Sequence, residues 1–238
     1  MLSTSGQQNA AIDPSRAKVS VLNDTHTTTA SSTSSTMGPP PASGITPTNP
    51  QHIWVVTGPA GSGKSTVGKY LQLQLGVPFL EGDDYHPPAN KQKMSAGTPL
   101  TDADRWDWLI ALRSAATTVL SATQTNNLTP PTGVVVACSA LKKKYRDVMR
   151  VAAYGSPNVR IHFVYLKLDP LVLYQRVSMR QAHYMKPTMV ESQLRDLEEP
   201  GVGEWDALTV DVKGSMADVQ MEVMGLVEEL LAPFGGVH

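Results

Sequence analysis

The sequence contains one motif whose spacing is typical of phosphate binding. Residues 58 to 65 read Gly-Pro-Ala-Gly-Ser-Gly-Lys-Ser, which fits the pattern G-x-x-x-x-G-K-[ST] at every required position. Glycines in the loop let several backbone N–H groups converge on one phosphate, and a helix that starts near Lys64 adds its positive dipole end. Lys64 is then placed to reach the β- and γ-phosphates, and the Ser65 hydroxyl to ligate Mg²⁺. The motif predicts nucleotide binding by Gly58, Pro59, Ala60, Gly61, Ser62, Gly63, Lys64, Ser65 and Thr66.

A phosphate loop alone does not say what happens to the nucleotide. A regulatory GTPase needs a D-x-x-G switch followed by N-K-x-D. Residues 211–214 match the first pattern only near the C-terminus, and residues 90–93 lack the aspartate and come too early. One small domain also leaves little room for the second module of a motor or transporter ATPase. Both classes are therefore disfavoured.

A polar segment follows the second predicted strand, and parallel strands place ligands beyond their carboxyl ends. Asp83 stands there, and its carboxylate can accept the proton of a hydroxyl group or hold Mg²⁺. Asp84 is the second choice for this role, and Asp83 could instead cap the following turn. His86 can hydrogen-bond acceptor hydroxyls or brace the loop. The segment predicts the acceptor side of a phosphoryl-transfer site.

Arg105 is the cation best suited to recognising an acidic acceptor. Its guanidinium is a planar, two-pronged donor that matches a carboxylate. The alternative is an ion pair with Asp102 or Asp104. Trp106 and Trp108 are expected to pack at a helix start rather than to bind the acceptor.

Two further groups of cations lie later in the chain. Lys142 is predicted to face the substrate, whereas Lys143, Lys144 and Arg146 are predicted to form a solvated face. Four cations in a protein of net charge -1 are too few to predict nucleic-acid binding. Two arginines, Arg176 and Arg180, are four residues apart on one predicted helix, so both side chains can reach the same phosphate cluster. The alternative is that both are surface charges without a function.

The elements that must position these residues alternate between short apolar runs and helical patterns, which predicts an α/β domain with a mostly parallel sheet. Strands are predicted at 53–56, 77–80, 134–138, 161–166 and 207–212, and helices at 64–75, 107–122, 142–152, 171–180, 189–197 and 216–230. Residues 1–50 are rich in Ser, Thr and Pro without a periodic apolar face, so a disordered tail is predicted before a kinase domain at 51–238. A mitochondrial presequence is the alternative, but Arg16 is the only arginine in this segment.

The composition narrows the class of protein. The 238 residues are 41% hydrophobic and 17% charged, with 20 basic and 21 acidic residues, which gives no global field for nucleic acid or an anionic membrane. A single cysteine, Cys138, excludes an intramolecular disulfide, and no apolar stretch approaches the roughly 20 residues that span a bilayer. We expect a cytoplasmic protein without a nucleic-acid or membrane partner.

Taken together, the motifs closely resemble the gluconokinase family of small P-loop sugar-acid kinases. The family patterns G-D-x-x-H-P-x-x-N-x-x-K-M and G-x-P-L-x-D-x-D-R-x-x-W-L are met at residues 82–94 and 97–109. The resemblance runs from about His52 to the C-terminus and includes Cys138-Ser139-Ala140-Leu141-Lys142, Tyr145-Arg146-Asp147, Arg176, Arg180, His183, Ser192-Gln193, Leu197-Glu198 and Pro200. The chain departs from it in a long loop at 123–133 and in the segment 181–186, which is similar but not identical.

The resemblance implies a nucleoside-monophosphate-kinase-like fold of three layers, with sheet order 2-3-1-4-5 and a lid. It implies ATP- and Mg²⁺-dependent phosphorylation of the 6-hydroxyl of D-gluconate, whose product feeds the pentose phosphate pathway, and a possible homodimer. Arg176 and Arg180 would stabilise charge on the transferring γ-phosphoryl group. Two rival functions are a shikimate-type or nucleotide-type small kinase and a catalytically idle nucleotide-binding scaffold.

Overall fold

A parallel sheet forms the centre of the molecule. The computed structural model describes residues 49–121, 130–179 and 187–235. Within these residues the sheet has five strands in the order β2-β3-β1-β4-β5, all pairs parallel, which confirms the predicted order. The strands are β1 (Gln51–Thr57), β2 (Phe79–Glu81), β3 (Gly133–Ala137), β4 (Val159–Lys167) and β5 (Ala207–Asp211).

Helices cover both faces of the sheet because alternate strand residues point to opposite sides. Trp54 and Val56 of β1 pack with apolar residues of one helical layer, whereas Ile53 and Val55 pack with those of the other. The predicted three-layer architecture is confirmed. The helices are α1 (Lys64–Leu75), α2 (Pro88–Ser95), α3 (Asp102–Ser121), α4 (Lys143–Tyr154), α5 (Pro170–Met179), α6 (Pro187–Asp196) and α7 (Met216–Leu231), with 3₁₀ turns at Gly82–Tyr85 and Ala232–Phe234.

The structure differs from the sequence prediction mainly around α2 and α3. No helix was predicted for residues 88–95, where α2 forms; Pro88 occupies its first turn, where no N–H is needed. Helix α3 begins at Asp102 instead of 107. Thr101 and Asp104 cap it reciprocally: the Thr101 N–H donates to Asp104 Oδ2 at 2.9 Å, and the Asp104 N–H donates to Thr101 Oγ1 at 3.4 Å. This earlier start brings Arg105 into the helix.

Several predicted segments lie outside the described residues. These are the predicted tail up to residue 48, most of the long loop at 123–133, and the segment 181–186. In the part of the chain that the structure describes, no helix is both long and apolar enough to cross a membrane.

A pair of histidines, one buried and one half-buried, joins the neighbouring strands β1 and β4. His52 of β1 and His162 of β4 are hydrogen-bonded, with 3.0 Å between Nδ1 and Nε2, and His162 stacks on Trp54 at 4.4 Å. This bond needs one ring nitrogen as a lone-pair acceptor. Burial, reinforced by the charge of Arg160, lowers the pKa of His52 from 6.5 to about 4. Burial and the neighbouring His52 lower the pKa of His162 to about 4 as well.

We expect the free energy of unfolding to fall as the pH drops from 6.5 to 4. In this window the unfolded chain binds protons at both histidines while the folded pair stays neutral, so acid favours the unfolded state. Each histidine contributes about 3 kcal/mol at most. Urea unfolding at pH 7, 6 and 5 should give a shallower pH slope for His162→Phe, which keeps an aromatic ring on Trp54. An unchanged slope would show that the acid loss of stability does not come from this histidine pair.

Candidate active site

The phosphate loop connects β1 to α1 through a tight turn. Gly63 precedes the helix with φ 102°, a left-handed conformation that favours glycine. A Cβ at this position would also lie 2.9 Å from Met216 Cε of α7. The loop therefore favours glycine here for its backbone conformation, whereas the flexible end of the Met216 side chain can shift to make space.

Lys64 begins α1 and turns back over the loop. Its Nζ donates a hydrogen bond to the Pro59 carbonyl at 3.0 Å, so the ammonium group stays beside the anion-binding backbone. Ser65 and Thr66 follow on the first helical turn and line the same cleft as Lys64. Three other loop residues, Gly58, Pro59 and Ser62, do not line that cleft.

A cleft with a volume of about 300 Å³ opens at the carboxyl ends of the strands. One wall is the phosphate loop and the opposite wall carries the polar segment after β2, as expected for a parallel sheet. The cleft is lined by Ala60, Gly61, Gly63, Lys64, Ser65, Thr66, Glu81, Asp83, His86, Met94, Leu100, Arg105, Ala137, Ser139, Val177, Met189 and Gln193.

Asp83 reaches the cleft because the residue before it is glycine. A Cβ on Gly82 would lie 2.3 Å from the Ala137 carbonyl oxygen, so only glycine lets this turn approach β3 so closely. Trp108 Nε1 donates to the Gly82 carbonyl at 2.7 Å and holds the turn in place. Asp83 and Asp84 are both exposed, but only Asp83 lines the cleft.

His86 is held as a neutral ring on the acceptor wall. Its imidazole stacks on Trp108 with ring centroids 4.1 Å apart, which also confirms Trp108 as a packing residue. The side chain is buried, and its Nδ1 has no hydrogen-bond partner among the described residues. Burial, together with the charges of Arg105 and Lys91, lowers the pKa of His86 to about 4. A buried, neutral ring with an unpartnered nitrogen is suited to a hydroxyl group of a ligand.

Arg105 is a buried cation on the inner face of α3. It is 7% exposed and shares this face with Trp108 and Leu109. Its Nη2 makes a long hydrogen bond of 3.5 Å to the Leu100 carbonyl, and its Nε has no partner in the described part of the chain. The guanidinium also lies 5.5 Å from the centre of the Tyr145 ring. Burying a charge so incompletely paired is costly unless a ligand completes it.

The ion pair between Arg105 and either Asp102 or Asp104 does not form. Asp104 pairs with Lys93 at 2.6 Å, and its other oxygen accepts from Thr101. Asp102 is occupied by a separate group of donors, namely Lys142, Lys144 and the Tyr145 hydroxyl. These hydrogen bonds hold the pKa of Asp102 well below its usual range. Both neighbouring carboxylates are thus used elsewhere, and Arg105 remains directed to the cleft.

Lys142 does not line the cleft. Its Nζ lies 3.0 Å from Asp102 Oδ1 and 3.1 Å from Asp196 Oδ1, so it bridges the start of α3 and the end of α6. The substrate contact of Lys142 stays a prediction, and in this structure its ammonium group makes these two ion pairs. Trp106 packs edge-on against Tyr145 beside this cluster.

The prediction of a solvated face is wrong for Arg146. Its side chain is 1% exposed and makes a two-pronged ion pair with Glu204, with both N···O distances 2.7 Å. Its Nη1 donates to the carbonyls of Ala140, Leu141 and Glu198. A guanidinium can be buried here because nearly all its donors are satisfied. Arg146 thus fixes the segment that follows β3.

Only one of the two arginines predicted at the transferring phosphate lies within the described residues. Arg176 is half-buried on α5 and does not line the cleft, whereas its neighbour Val177 does. Arg180 lies outside the described residues.

Three polar residues of the cleft were not predicted, and each is supplied by a different element. Glu81 ends β2, Ser139 follows β3, and Gln193 lies on α6. The alternation of strands and helices could have indicated Glu81, which stands two residues before Asp83. Ser139 and Gln193 stand in motifs of the family resemblance, which gave neither a role, and the local pattern around Gln193 does not by itself distinguish it from a surface glutamine.

The donors available for a divalent metal are few. Among the described residues no cluster of three or more His, Cys, Asp and Glu could hold a metal ion. The cleft nevertheless brings together the Ser65 hydroxyl and the carboxylates of Asp83 and Glu81. This set suits Mg²⁺, which takes one or two protein oxygens and completes its shell with water and phosphates.

Comparison with known proteins gives one consistent family. A family model described as an AAA domain matches residues 53–200. A probable gluconokinase of Schizosaccharomyces pombe is 40% identical over 192 residues, which covers 79% of this chain and 96% of the relative. The thermoresistant gluconokinase of Escherichia coli is 39% identical over 178 residues, covering 75% and 94%. The crystal structure of a gluconokinase from Sinorhizobium meliloti superposes with a TM-score of 0.63 at 38% identity, covering 78% and 95%.

Proposed function

Because the chain belongs to the gluconokinase family, we propose that it transfers the γ-phosphoryl group of ATP to the 6-hydroxyl of D-gluconate. The products are 6-phospho-D-gluconate and ADP. The acceptor is a polyhydroxy chain with one carboxylate, so the site must recognise a negative charge and several hydroxyl groups.

The proposal depends mainly on Arg105. It is buried beside the cleft, and the carboxylates at 102 and 104 are paired with other residues. A two-pronged carboxylate ligand would complete its hydrogen bonds. His86, neutral and with an unpartnered Nδ1, would accept a hydrogen bond from a sugar hydroxyl. A neutral sugar would leave Arg105 uncompensated, which favours a sugar acid.

The transfer requires the acceptor oxygen to be in line with the γ-phosphorus and the bridging oxygen of ADP. The 6-hydroxyl oxygen forms the new bond to phosphorus, the bond to the bridging oxygen breaks, and the hydroxyl proton passes to the Asp83 carboxylate. Lys64 stabilises negative charge on the β- and γ-phosphates. Because the transition state is loose, positioning and electrostatic stabilisation supply most of the rate.

Mg²⁺ would be held by Ser65 and Asp83, with Glu81 beside them in the cleft. When bound, it neutralises charge on the β- and γ-phosphate oxygens. We place the reaction in the cytoplasm. The only cysteine, Cys138, is buried, and burial raises its pKa to about 12, as suits a structural thiol in a reducing compartment.

An assay of ADP release with a panel of acceptors tests the function. With MgATP and the full chain, we expect D-gluconate to accelerate ADP release strongly, and shikimate, glycerate and nucleoside monophosphates to have little effect. Only gluconate combines a carboxylate with a hydroxyl at the far end of a six-carbon chain. If gluconate does not accelerate ADP release while another acceptor accelerates it strongly, the proposal is rejected.

A further inference from the structure

Gln193 connects α6 to the phosphate loop through a buried hydrogen bond. Its Oε1 accepts from the Ala60 backbone N–H at 2.7 Å. The side chain is 8% exposed and lines the same cleft as Lys64 and Asp83. Because an N–H group can only donate, the carbonyl end of the amide must face Ala60. The orientation of the Gln193 amide is therefore fixed by its partner.

The same helix is attached to the acceptor side of the cleft. Met189 of α6 packs with Met94 and Leu100, which lie on α2 and just before α3. At its other end, α6 is tied to Lys142 by Asp196, with 3.1 Å between the charged atoms. Gln193 is thus a polar link between the wall that carries the acceptor residues and the loop that carries the nucleotide.

The Ala60 N–H belongs to the backbone that would otherwise point at phosphate oxygens. Because a neutral carbonyl already satisfies it, a bound phosphate is directed to the amides that follow along the loop. We propose that Gln193 is a positioning residue for phosphoryl transfer, which sets the distance between the γ-phosphoryl group and the acceptor by holding Ala60 against α6. The inference rests on the proposed kinase function.

The expected effect is on turnover more than on binding. Lys64 and the remaining loop amides hold ATP without Gln193, so the affinity for ATP should change little. A displacement of about 1 Å between donor and acceptor lowers a transfer rate by about 10²-fold. We therefore expect Gln193→Met, which keeps the length of the side chain but not the acceptor atom, to lower kcat by about 10²-fold. Both KM values should stay within about threefold.

Two further variants make the test specific. Gln193→Glu keeps an oxygen acceptor for Ala60 and replaces only the NH₂ end, so its kcat at saturating ATP should stay within about tenfold of the wild type, with a higher KM for ATP from the added charge. Ser192→Ala is the matched control, because Ser192 is also buried on α6 but donates back to the Met189 carbonyl at 2.9 Å. Its kinetics should be unchanged. Amide hydrogen exchange measured by NMR should show Ala60 protected in the wild type and in Gln193→Glu, and unprotected in Gln193→Met.

The outcomes separate this inference from the proposed function. If the wild type ignores gluconate but uses another acceptor, the proposed function fails, and the Gln193 series is measured with that acceptor. If Gln193→Met keeps kcat within threefold of the wild type, or if Ser192→Ala is equally impaired, the inference is overturned. Equal loss of kcat in Gln193→Glu and Gln193→Met would also overturn it, because the NH₂ group would then be the functional end. Should Gln193→Met not fold, Gln193→Leu, which also lacks the acceptor atom, is measured in its place with the same limits on kcat and on Ala60 exchange.

Discussion

Lys64→Met should lower kcat with gluconate by about 10²- to 10³-fold while the melting temperature changes by only a few degrees. The ammonium group is the cation beside the loop that meets the β- and γ-phosphates, and charge stabilisation of this kind is worth about that much in rate. In the structure its Nζ donates to the Pro59 carbonyl of the loop. Steady-state ADP release and thermal unfolding measure the two effects separately.

Lys69→Met is the matched control for this experiment. Lys69 lies on the same helix, is exposed, and does not line the cleft, so the same substitution there should leave kcat within about twofold. Equal losses of activity in the two variants would show that the effect comes from the net charge of the protein. A large loss of thermal stability in Lys64→Met alone would make Lys64 a structural residue of the loop.

The same assay separates the two adjacent carboxylates. Asp83 lines the cleft, while the Asp84 side chain does not, and the Asp84 carbonyl accepts from Lys91 at 3.1 Å. Asp83→Asn should therefore reduce kcat by about 10²-fold, and Asp84→Asn by much less. The reverse result would move the role of proton acceptor to Asp84.

The sheet was predictable from sequence because its inner strands β3, β1 and β4 are largely buried on both faces and consist mostly of apolar residues. Every strand was predicted to within two residues of its observed ends. The phosphate loop was predictable for a different reason, since its glycines and its lysine are consecutive. Both signals are local in the chain.

The parts of the site that sequence could not provide depend on contacts between distant elements. Arg146 is buried because Glu204 lies against it, 58 positions along the chain. Gln193 contacts Ala60 across 133 positions. Lys142 forms an ion pair with Asp196, which lies 54 positions along the chain. No spacing rule within a helix or strand predicts such partners, so the family resemblance includes these residues without giving their contacts.

Arg105 is the residue that should distinguish a sugar-acid kinase from a general small-molecule kinase. Arg105→Lys keeps the charge but loses the two-pronged geometry, and Arg105→Met loses both. Hydrogen bonds to charged groups are worth about 1.5 to 3 kcal/mol each, so the KM for gluconate should rise about tenfold in the lysine variant and about 10²-fold or more in the methionine variant. The KM for ATP should stay nearly constant, because the phosphate loop forms the other wall of the cleft.

The thermal stability of Arg105→Met gives an independent test of the same assignment. In the described residues Arg105 has one long hydrogen bond and no ion pair, so its charge is poorly compensated without ligand. Replacing such a charge by an apolar side chain of similar length should leave the melting temperature unchanged or raise it.

Arg113→Met is the control on the same helix. Arg113 donates to the Val148 carbonyl at 3.2 Å and does not line the cleft, so its loss should not affect the KM for gluconate. A falling melting temperature in Arg105→Met would make Arg105 a structural residue, and equal rises in both KM values would place it at the phosphates. If stability is retained while gluconate affinity is lost, the buried, unpaired guanidinium of Arg105 serves to bind the substrate carboxylate and not to stabilise the fold.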